Sequence, residues 1–377
     1  MNKSDKFYDS KLLGSIIRVN RLMQNMSQTS LVDGICVPSY LSRIENAEIV
    51  PSMEVVNEIF DALGISYYDD STFLKKSLDL FDDYVRALFE DELGFADQLY
   101  VEIHADENQY MSSPIIIDFL VVKFMHLADT DKREEVNEVE KLLNSIIEHM
   151  SSDQIHNYML YKGMDTRNIE RDFLQAEAYL KRAEKEKISG KVFHEMAKLY
   201  FEWGNMILAL DYINKAQVRY SEEGYVMGLI AVYMIKGQIF IYENQFEIGI
   251  GYLTKSSKLF RRIKEPTYET YINNHLAWAY ILNGDLESGR LYLDKCTDKS
   301  ELLRQISDDL IEPLAKGQVP TWHDDIEEIE NKLSIQKASG LYHKLEEKYL
   351  ELRRYAIYRQ QRKYKLIDDF RISKLQF

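Results

Sequence analysis

Cysteine is nearly absent from this 377-residue chain, which contains only Cys36 and Cys296. Two thiols cannot build a disulfide framework or a cysteine-rich metal site. Proline (6) and glycine (16) are scarce as well, which disfavours a turn-rich β fold and leaves room for long helices. No stretch approaches the roughly 18 apolar residues of a membrane-spanning helix; IIIDFLVV (115–122) is far too short. The polar start, MNKSDKFYDSK, lacks the features of a signal peptide, so a cytoplasmic protein with no membrane partner is expected. The eight histidines show no metal spacing, and HExxH, CxxC and phosphate-binding glycine loops do not occur. DDIEEIEN (324–331) is explained more simply by a solvated helix face than by catalytic carboxylates. No nucleophile elbow is present. The chain is expected to have no catalytic residues, no metal, no cofactor and no enzyme activity.

What is present points to helices. Hydrophobic residues make up 45% of the chain and charged residues 29%, the balance of a folded protein with two or three domains. The net charge of −15 opposes phosphate binding in total, but its distribution is uneven. Residues 11–46 hold Lys11, Arg18, Arg21 and Arg43 against Asp33 and Glu45. The chain therefore looks like a weakly basic reader on an acidic body.

The reader centres on residues 27–52, SQTSLVDGICVPSYLSRIENAEIVPS. Ser27 is placed to cap one short helix, with Leu31 and Val32 on its buried side. A turn follows through Gly34, Ile35 and Cys36, where Cys36 is expected to pack. Pro38 opens a second helix in its first turn, where the missing N–H costs nothing. That helix is expected to bury Val37, Leu41 and Ile44 and to expose Ser39, Tyr40, Ser42 and Arg43. Two short helices across a tight turn make a helix-turn-helix, whose second helix fits a DNA major groove. Arg43 is the best candidate for a bidentate guanine contact. Pro38 and Ser39 should face base edges, with Tyr40 and Ser42 near sugar or phosphate. Gln28, at a helix start, is placed to hold a phosphate. The bland alternatives are that Arg43 pairs with Glu45 or Glu48 and that Tyr40 packs. Leu12, Leu13, Ile16, Ile17 and Leu22 predict a preceding helix over 11–24. Ser52 and Gly64 bracket a following one, closing a domain over residues 1–67.

From residue 72 helix follows helix, and one pattern repeats. AKLYFEWGNMILALDYINKAQ (197–217), GQIFIYENQFEIGIGYLTKSS (237–257) and AWAYILNGDLESGRLYLDKCT (277–297) align at a spacing of forty residues. Each carries a small residue (Ala197, Gly237, Ala277), an aromatic three later (Tyr200, Phe240, Tyr280) and a turn residue (Gly204, Asn244, Gly284). A second small residue follows (Ala209, Gly249, Gly289), then an aliphatic (Ile213, Leu253, Leu293). This pattern resembles the tetratricopeptide repeat, whose usual period is 34; the extra six residues would lengthen helices or connections. DFLQAEAYLKRAEKE (172–186) matches a second helix, with Ala176, Leu180 and Ala183 in register. The fold class expected is all-α: a helix-turn-helix domain, a repeat solenoid over 68–322, and C-terminal repeat or capping helices over 323–377. The basic segment RRYAIYRQQRKYK (353–365) is read as a solvated cap in preference to a contact with DNA or with an acidic partner surface such as the protein's own repeats.

Residues 12–63 resemble the helix-turn-helix family of phage-repressor and xenobiotic-response type, through LGSIIRVNR, SQTSL (27–31), YLSRIEN (40–46) and Pro51-Ser52. Two departures stand out: Cys36 replaces the usual turn glycine, and Ala47 replaces the glycine after Glu-Asn. GIC before the second helix and IVPSMEVV after it resemble the PlcR-like subgroup. With the NprR, Rgg and PrgX types, that group joins a helix-turn-helix to tetratricopeptide-like repeats and senses short re-imported peptides. The resemblance implies a homodimer that binds double-stranded operator DNA and a short signalling peptide.

In such a solenoid the first helix of each repeat lines the concave side. The inward positions are then Tyr271, Asn274 and Trp278; Met234, Gln238 and Tyr242; and His194 and Lys198. An extended peptide needs amides for its backbone, apolar pockets for its side chains and a cation for its carboxylate, and these residues supply that mixture. The resemblance implies an inward Asn as a backbone clamp, carried here by Asn274. Trp278 and Tyr242 are open to the reading that they are core aromatics. Two other functions remain open: a repeat module that sequesters a signalling partner, as in the related Rap-like group, and a phage-type repressor whose repeats bind no ligand.

Overall fold

The computed structural model describes residues 9–90, 92–128, 132–261, 266–296, 301–316, 327, 329, 331–332 and 344–360. Among these, all regular structure is helical. The chain divides into two compact units, Met1–Ile188 and Ser189–Phe377.

The first unit opens with α1 (Ser10–Met23), α2 (Gln28–Leu31), α3 (Pro38–Glu45) and α4 (Met53–Leu63). Local chemistry sets their ends. Asp9 caps α1 through the Lys11 and Leu12 amides (2.9 and 3.3 Å), Ser27 caps α2 through Ser30 N (3.0 Å) and Ser52 caps α4. Gly64 ends α4 in the left-handed region, φ 66°, where a side chain would be strained. Leu13, Ile16, Ile17, Val19, Leu31, Leu41, Ile44, Ile59 and Phe60 form the buried centre of this bundle.

Next come α5 (Ser71–Phe89), α6 (Leu93–Ala105), α7 (Glu107–Met111), α8 (Ile116–Leu127) and α9 (Arg133–Ser145). A hairpin of α10 (Ser152–Asp165) and α11 (Phe173–Glu186) completes the unit. The stretch 115–122 is the N-cap and opening turns of α8, buried throughout except for half-buried Asp118. Ala176, Leu180 and Ala183 are the buried residues of α11, as their register predicts, and a Cβ on Gly163 of α10 would come 2.7 Å from Leu180.

Residues 1–67 lie within the first compact unit, which runs on to Ile188. Helix α1 packs on α8 and α9. Asn20 Nδ2 donates to the Met111 carbonyl (2.8 Å, buried) and Arg18 Nη1 donates to the Ser145 carbonyl (2.6 Å). Ser15 Oγ donates to the Lys11 carbonyl (2.7 Å) and lies 2.8 Å from His149 Nδ1, so the ring N–H donates to it. Polar contacts across this many residues fasten the helix-turn-helix to the helices that follow.

Three histidines of this unit favour the neutral form. Burial lowers the pKa of His149, helped by Arg18 and Lys11; burial lowers that of His126 and of His156, with Lys132 and Lys187 adding to it. A lowered folded-state pKa means that below about pH 6.5 the unfolded chain binds protons the folded chain refuses. Stability is therefore expected to fall as pH drops from 7.5 towards 5. Half-buried Asp118, whose pKa is raised, works in the opposite sense only lower, in the carboxylate range. Urea midpoints at pH 7.5 and 5.5 check this; equal midpoints contradict it.

The second unit contains three hairpins: α12 (Gly190–Trp203) with α13 (Met206–Glu223), α14 (Val226–Tyr242) with α15 (Phe246–Phe260), and α16 (Pro266–Leu282) with α17 (Leu286–Leu293). The connections within the first two hairpins are short, so the residues beyond a 34-residue period lengthen the helices. Close approach depends on the small residues. A Cβ on Gly237 would meet Leu253 at 2.6 Å, and one on Gly249 would lie 2.8 Å from the Gly237 carbonyl. The repeated aromatics stack on the second helix in every copy: Tyr200 on Tyr212, Phe240 on Tyr252 and Tyr280 on Tyr292, with centroids 5.5, 5.5 and 5.4 Å apart. The chain continues through α18 (Glu301–Ile306) and α19 (Glu312–Ala315) to α20 (Lys344–Gln360). Of the C-terminal repeat or capping helices expected over 323–377, residues 327, 329, 331–332 and 344–360 are described; the rest, including residues 361–365 of the basic segment, lie outside the described residues.

Candidate functional site

Helix α3 is held from behind by one buried carboxylate. Glu45 is 1% exposed and receives Arg21 bidentately, Nε at 2.6 Å and Nη2 at 2.8 Å. Gln28 Nε2 donates to the same carboxylate at 2.9 Å, and Arg18 Nε stands 3.5 Å away. Arg21 Nη1 donates in addition to the Met26 carbonyl (2.9 Å). This network joins α1, α2 and α3. It also corrects the charge reading: Arg18 and Arg21 are committed to Glu45, so Lys11 and Arg43 are the exposed cations among those four.

The outward face of α3 carries exposed Ser39 and Arg43, with Pro38, Tyr40 and Ser42 half-buried beside them. Arg43 is 56% exposed and stands 3.7 Å from Glu48, a surface pairing worth little; its expected alternative partner, Glu45, belongs to Arg21. Gln28 differs from expectation in that its side-chain amide is taken by Glu45. Val37 differs as well: it is 63% exposed instead of buried. It is the N-cap of α3, in extended backbone (φ −78°, ψ 146°), so the helical periodicity does not reach it. Cys36 is half-buried, and burial with the nearby Glu58 raises its pKa, which keeps the thiol protonated.

Two close backbone features sit under this face. A Cβ on Gly14 would come 2.6 Å from the Ile44 carbonyl, so only glycine lets α1 cross α3 this closely. Ala47, after α3, has φ 59°, in the left-handed region that costs an alanine roughly 1–2 kcal/mol. Ala47→Gly is expected to be neutral to stabilising by up to about 1 kcal/mol, since glycine's larger unfolded-state entropy offsets part of the relief. Thermal unfolding of the variant checks it; a marked loss contradicts it.

The residues expected on the inner side of the repeats are distributed as follows. Met234 and Trp278 are buried in one apolar cluster, with Tyr271 packed against it. Gln238 is 1% exposed, and its buried Oε1 has no hydrogen-bond partner among the described residues. Tyr242 is half-buried beside Phe201 (6.0 Å, edge-on), and burial with Glu351 and Glu347 raises its pKa far above the phenolic range. Asn274 is half-buried with a buried Oδ1. His194 turns towards Tyr220 OH (3.3 Å), and Lys198 pairs with buried Glu195 (3.2 Å).

Sequence reasoning did not foresee what covers this side. Helix α20 packs against both α14 and α16. Its Leu345, Tyr349 and Leu350 belong to the cluster that holds Met234 and Trp278. Tyr349 meets Trp278 at 5.5 Å, and Lys344 and Lys348 stand 5.8 and 5.3 Å over the Tyr242 ring. The signal available beforehand was the apolar spacing of Leu345, Tyr349 and Leu350 within a charged helix.

The helix pair, the buried lock behind it and the outward α3 face define a helix-turn-helix segment joined to helical-hairpin repeats. Residues 17–69 match the family model described as Helix-turn-helix. No curated protein sequence matches the chain. Among solved structures the chain is similar to PlcR of Bacillus thuringiensis, determined in complex with the peptide PapR7 and DNA: 14% identity, 75% of this chain and 95% of that one, TM-score 0.33. It is also similar to the apo form of the competence regulator ComR from Streptococcus vestibularis: 15% identity, 82% and 99% coverage, TM-score 0.32. At such identities and scores the chain's own residues carry the functional reading.

Proposed function

We propose that the chain is a transcription regulator that binds operator DNA as a homodimer through α3 and is switched by a short peptide held on the inner side of the repeats. The observation that carries the DNA reading is the outward Ser39–Arg43 face on a helix fixed by the buried Glu45 network. With few exposed cations on the reader, affinity rests on base readout, DNA shape and paired half-sites rather than on phosphate neutralisation. The peptide reading is supported by Gln238, whose buried Oε1 has no partner among the described residues, together with Met234, Trp278 and Tyr242. A peptide N–H would satisfy that oxygen. Switching is then linkage: peptide and operator each favour one arrangement of the dimer.

The seat of α20 on α14 and α16 favours a second reading, in which the repeats fill their own inner side and the protein is a ligand-free repressor.

Arg43→Ala is expected to keep the fold and to weaken operator binding by about 1–3 kcal/mol, roughly 5- to 150-fold, with relaxed specificity at one base pair. Fluorescence anisotropy on the protein's own promoter, with and without peptides encoded beside the gene, tests both parts. Unchanged operator affinity in Arg43→Ala would refute the DNA face. Unchanged occupancy across all such peptides would leave the ligand-free repressor.

A further inference from the structure

A buried cation without a carboxylate partner among the described residues interrupts the repeat in α14. Every copy places a lysine over the ring of its second-helix tyrosine: Lys215 on Tyr212 (4.4 Å), Lys255 on Tyr252 (4.9 Å) and Lys295 on Tyr292 (4.5 Å). Among the described residues, the middle copy alone adds another. Lys236 of α14 stands where the neighbouring copies have Met196 and Leu276, both fully buried. It is itself only 6% exposed. Its Nζ lies 5.7 Å from the same Tyr252 ring that Lys255 covers and donates to Gln217 Oε1 of α13.

An ammonium in an otherwise apolar position normally comes with a carboxylate, because burying an unpaired charge is costly. Here, among the described residues, no carboxylate lies within ion-pair distance of Lys236 or Lys255; the partners are a neutral amide oxygen and a ring face. Burial and the neighbouring Lys255 both lower the Lys236 pKa, so the pair repels itself where it stands. Gln217 also lines an open groove of about 490 Å³ along α13, with Asn214, Val218, Ser221 and Glu222. The acid in that groove, Glu222, is taken by Arg219 at 3.0 Å. Lys236 is two residues from Met234 and from Gln238. At 3.6 residues per turn it leaves α14 more than half a turn round from them, away from the proposed peptide side.

We propose that Lys236 and Lys255, with the side-chain amides of Gln217 and Asn214, form a binding site for a small oxyanion, either phosphate or a carboxylate, distinct from the peptide site and independent of it. The anion supplies the countercharge that the lysine pair lacks, the amides add neutral donors, and Tyr252 forms an apolar floor. By holding α13, α14 and α15 together, a bound anion stabilises the second unit.

The test uses the full chain. Thermal unfolding and calorimetric titration are run with sodium phosphate, sodium succinate and, at matched ionic strength, sodium chloride. Wild type is expected to show a saturable rise in Tm of a few degrees with phosphate or succinate and none with chloride; which of the two acts identifies the anion. Lys255→Met, at an exposed position, should abolish the response without loss of fold. Lys236→Met, the residue of the preceding copy, should abolish it while raising the anion-free Tm, because a buried uncompensated charge is gone. Lys215→Met should leave the response intact. A response equal to that of chloride, a response retained in Lys236→Met, or no response to either anion would overturn the proposal.

Discussion

Glu45→Ala is expected to cost about 3–5 kcal/mol, the usual penalty for removing one partner of a buried ion pair. The reason lies in what remains behind. Arg21 would keep its guanidinium at a site where the residue is 9% exposed, with only the Met26 carbonyl as acceptor in place of the two-pronged carboxylate contact. Gln28 and Arg18 would lose the same oxygens. Because Glu45 is the last residue of α3, the loss falls on the angle between the reading helix and α1. Operator affinity should fall with stability, and more than in Arg43→Ala. Glu45→Gln keeps an acceptor and should sit between the two. The double variant Arg21→Met, Glu45→Leu should recover most of the stability, since replacing both partners by apolar groups of similar size is often near neutral. Denaturant unfolding of the four proteins measures this. If Glu45→Ala were as costly as the double variant, the lock would be packing alone and the electrostatic account would be wrong.

The helix ends around this lock were legible, because the signals were local. Ser27, Ser52 and Gly64 announce helix ends through chemistry acting within three residues, and the structure places their caps there. The forty-residue register of small and aromatic positions likewise anticipated the hairpins, since close helix approach and ring stacking demand those residue types at those places. What was not legible depends on partners far away in the chain. Nothing beside Asn20 signals the Met111 carbonyl, and nothing beside Arg18 signals Ser145, so the boundary at 67 looked like a joint. Glu45 looked like a surface acid available to Arg43, because its true partner lies on α1. Val37 failed for a local reason: a helical period was extended one residue beyond the helix, into an extended N-cap. In the candidate peptide site, the positions Met234, Gln238 and Trp278 were reached by counting, but counting along a repeat says nothing of a helix that returns from outside it.

That returning helix makes Tyr349 the position with the other large expected effect. Tyr349 is 7% exposed, lies 5.5 Å from Trp278 and shares its cluster with Leu345, Leu350 and Met234. Removing a buried aromatic from such a cluster costs about 3–5 kcal/mol, so Tyr349→Ala should destabilise the second unit by that much. Trp278, one of three tryptophans, should shift its emission to the red as its neighbour is lost. The peptide reading adds a sign. If peptide and α20 share Trp278, Tyr242 and Met234, then the folded protein binds peptide only from the state in which α20 has yielded. Weakening the seat enlarges that state and tightens binding in proportion. Tyr349→Leu, which retains apolar bulk, should lose less stability and move affinity the same way to a smaller extent, so that a gain cannot be mistaken for unfolding. Weaker peptide binding in both variants would mean that α20 is part of the peptide's platform rather than its competitor, and would place the ligand against the helix instead of beneath it.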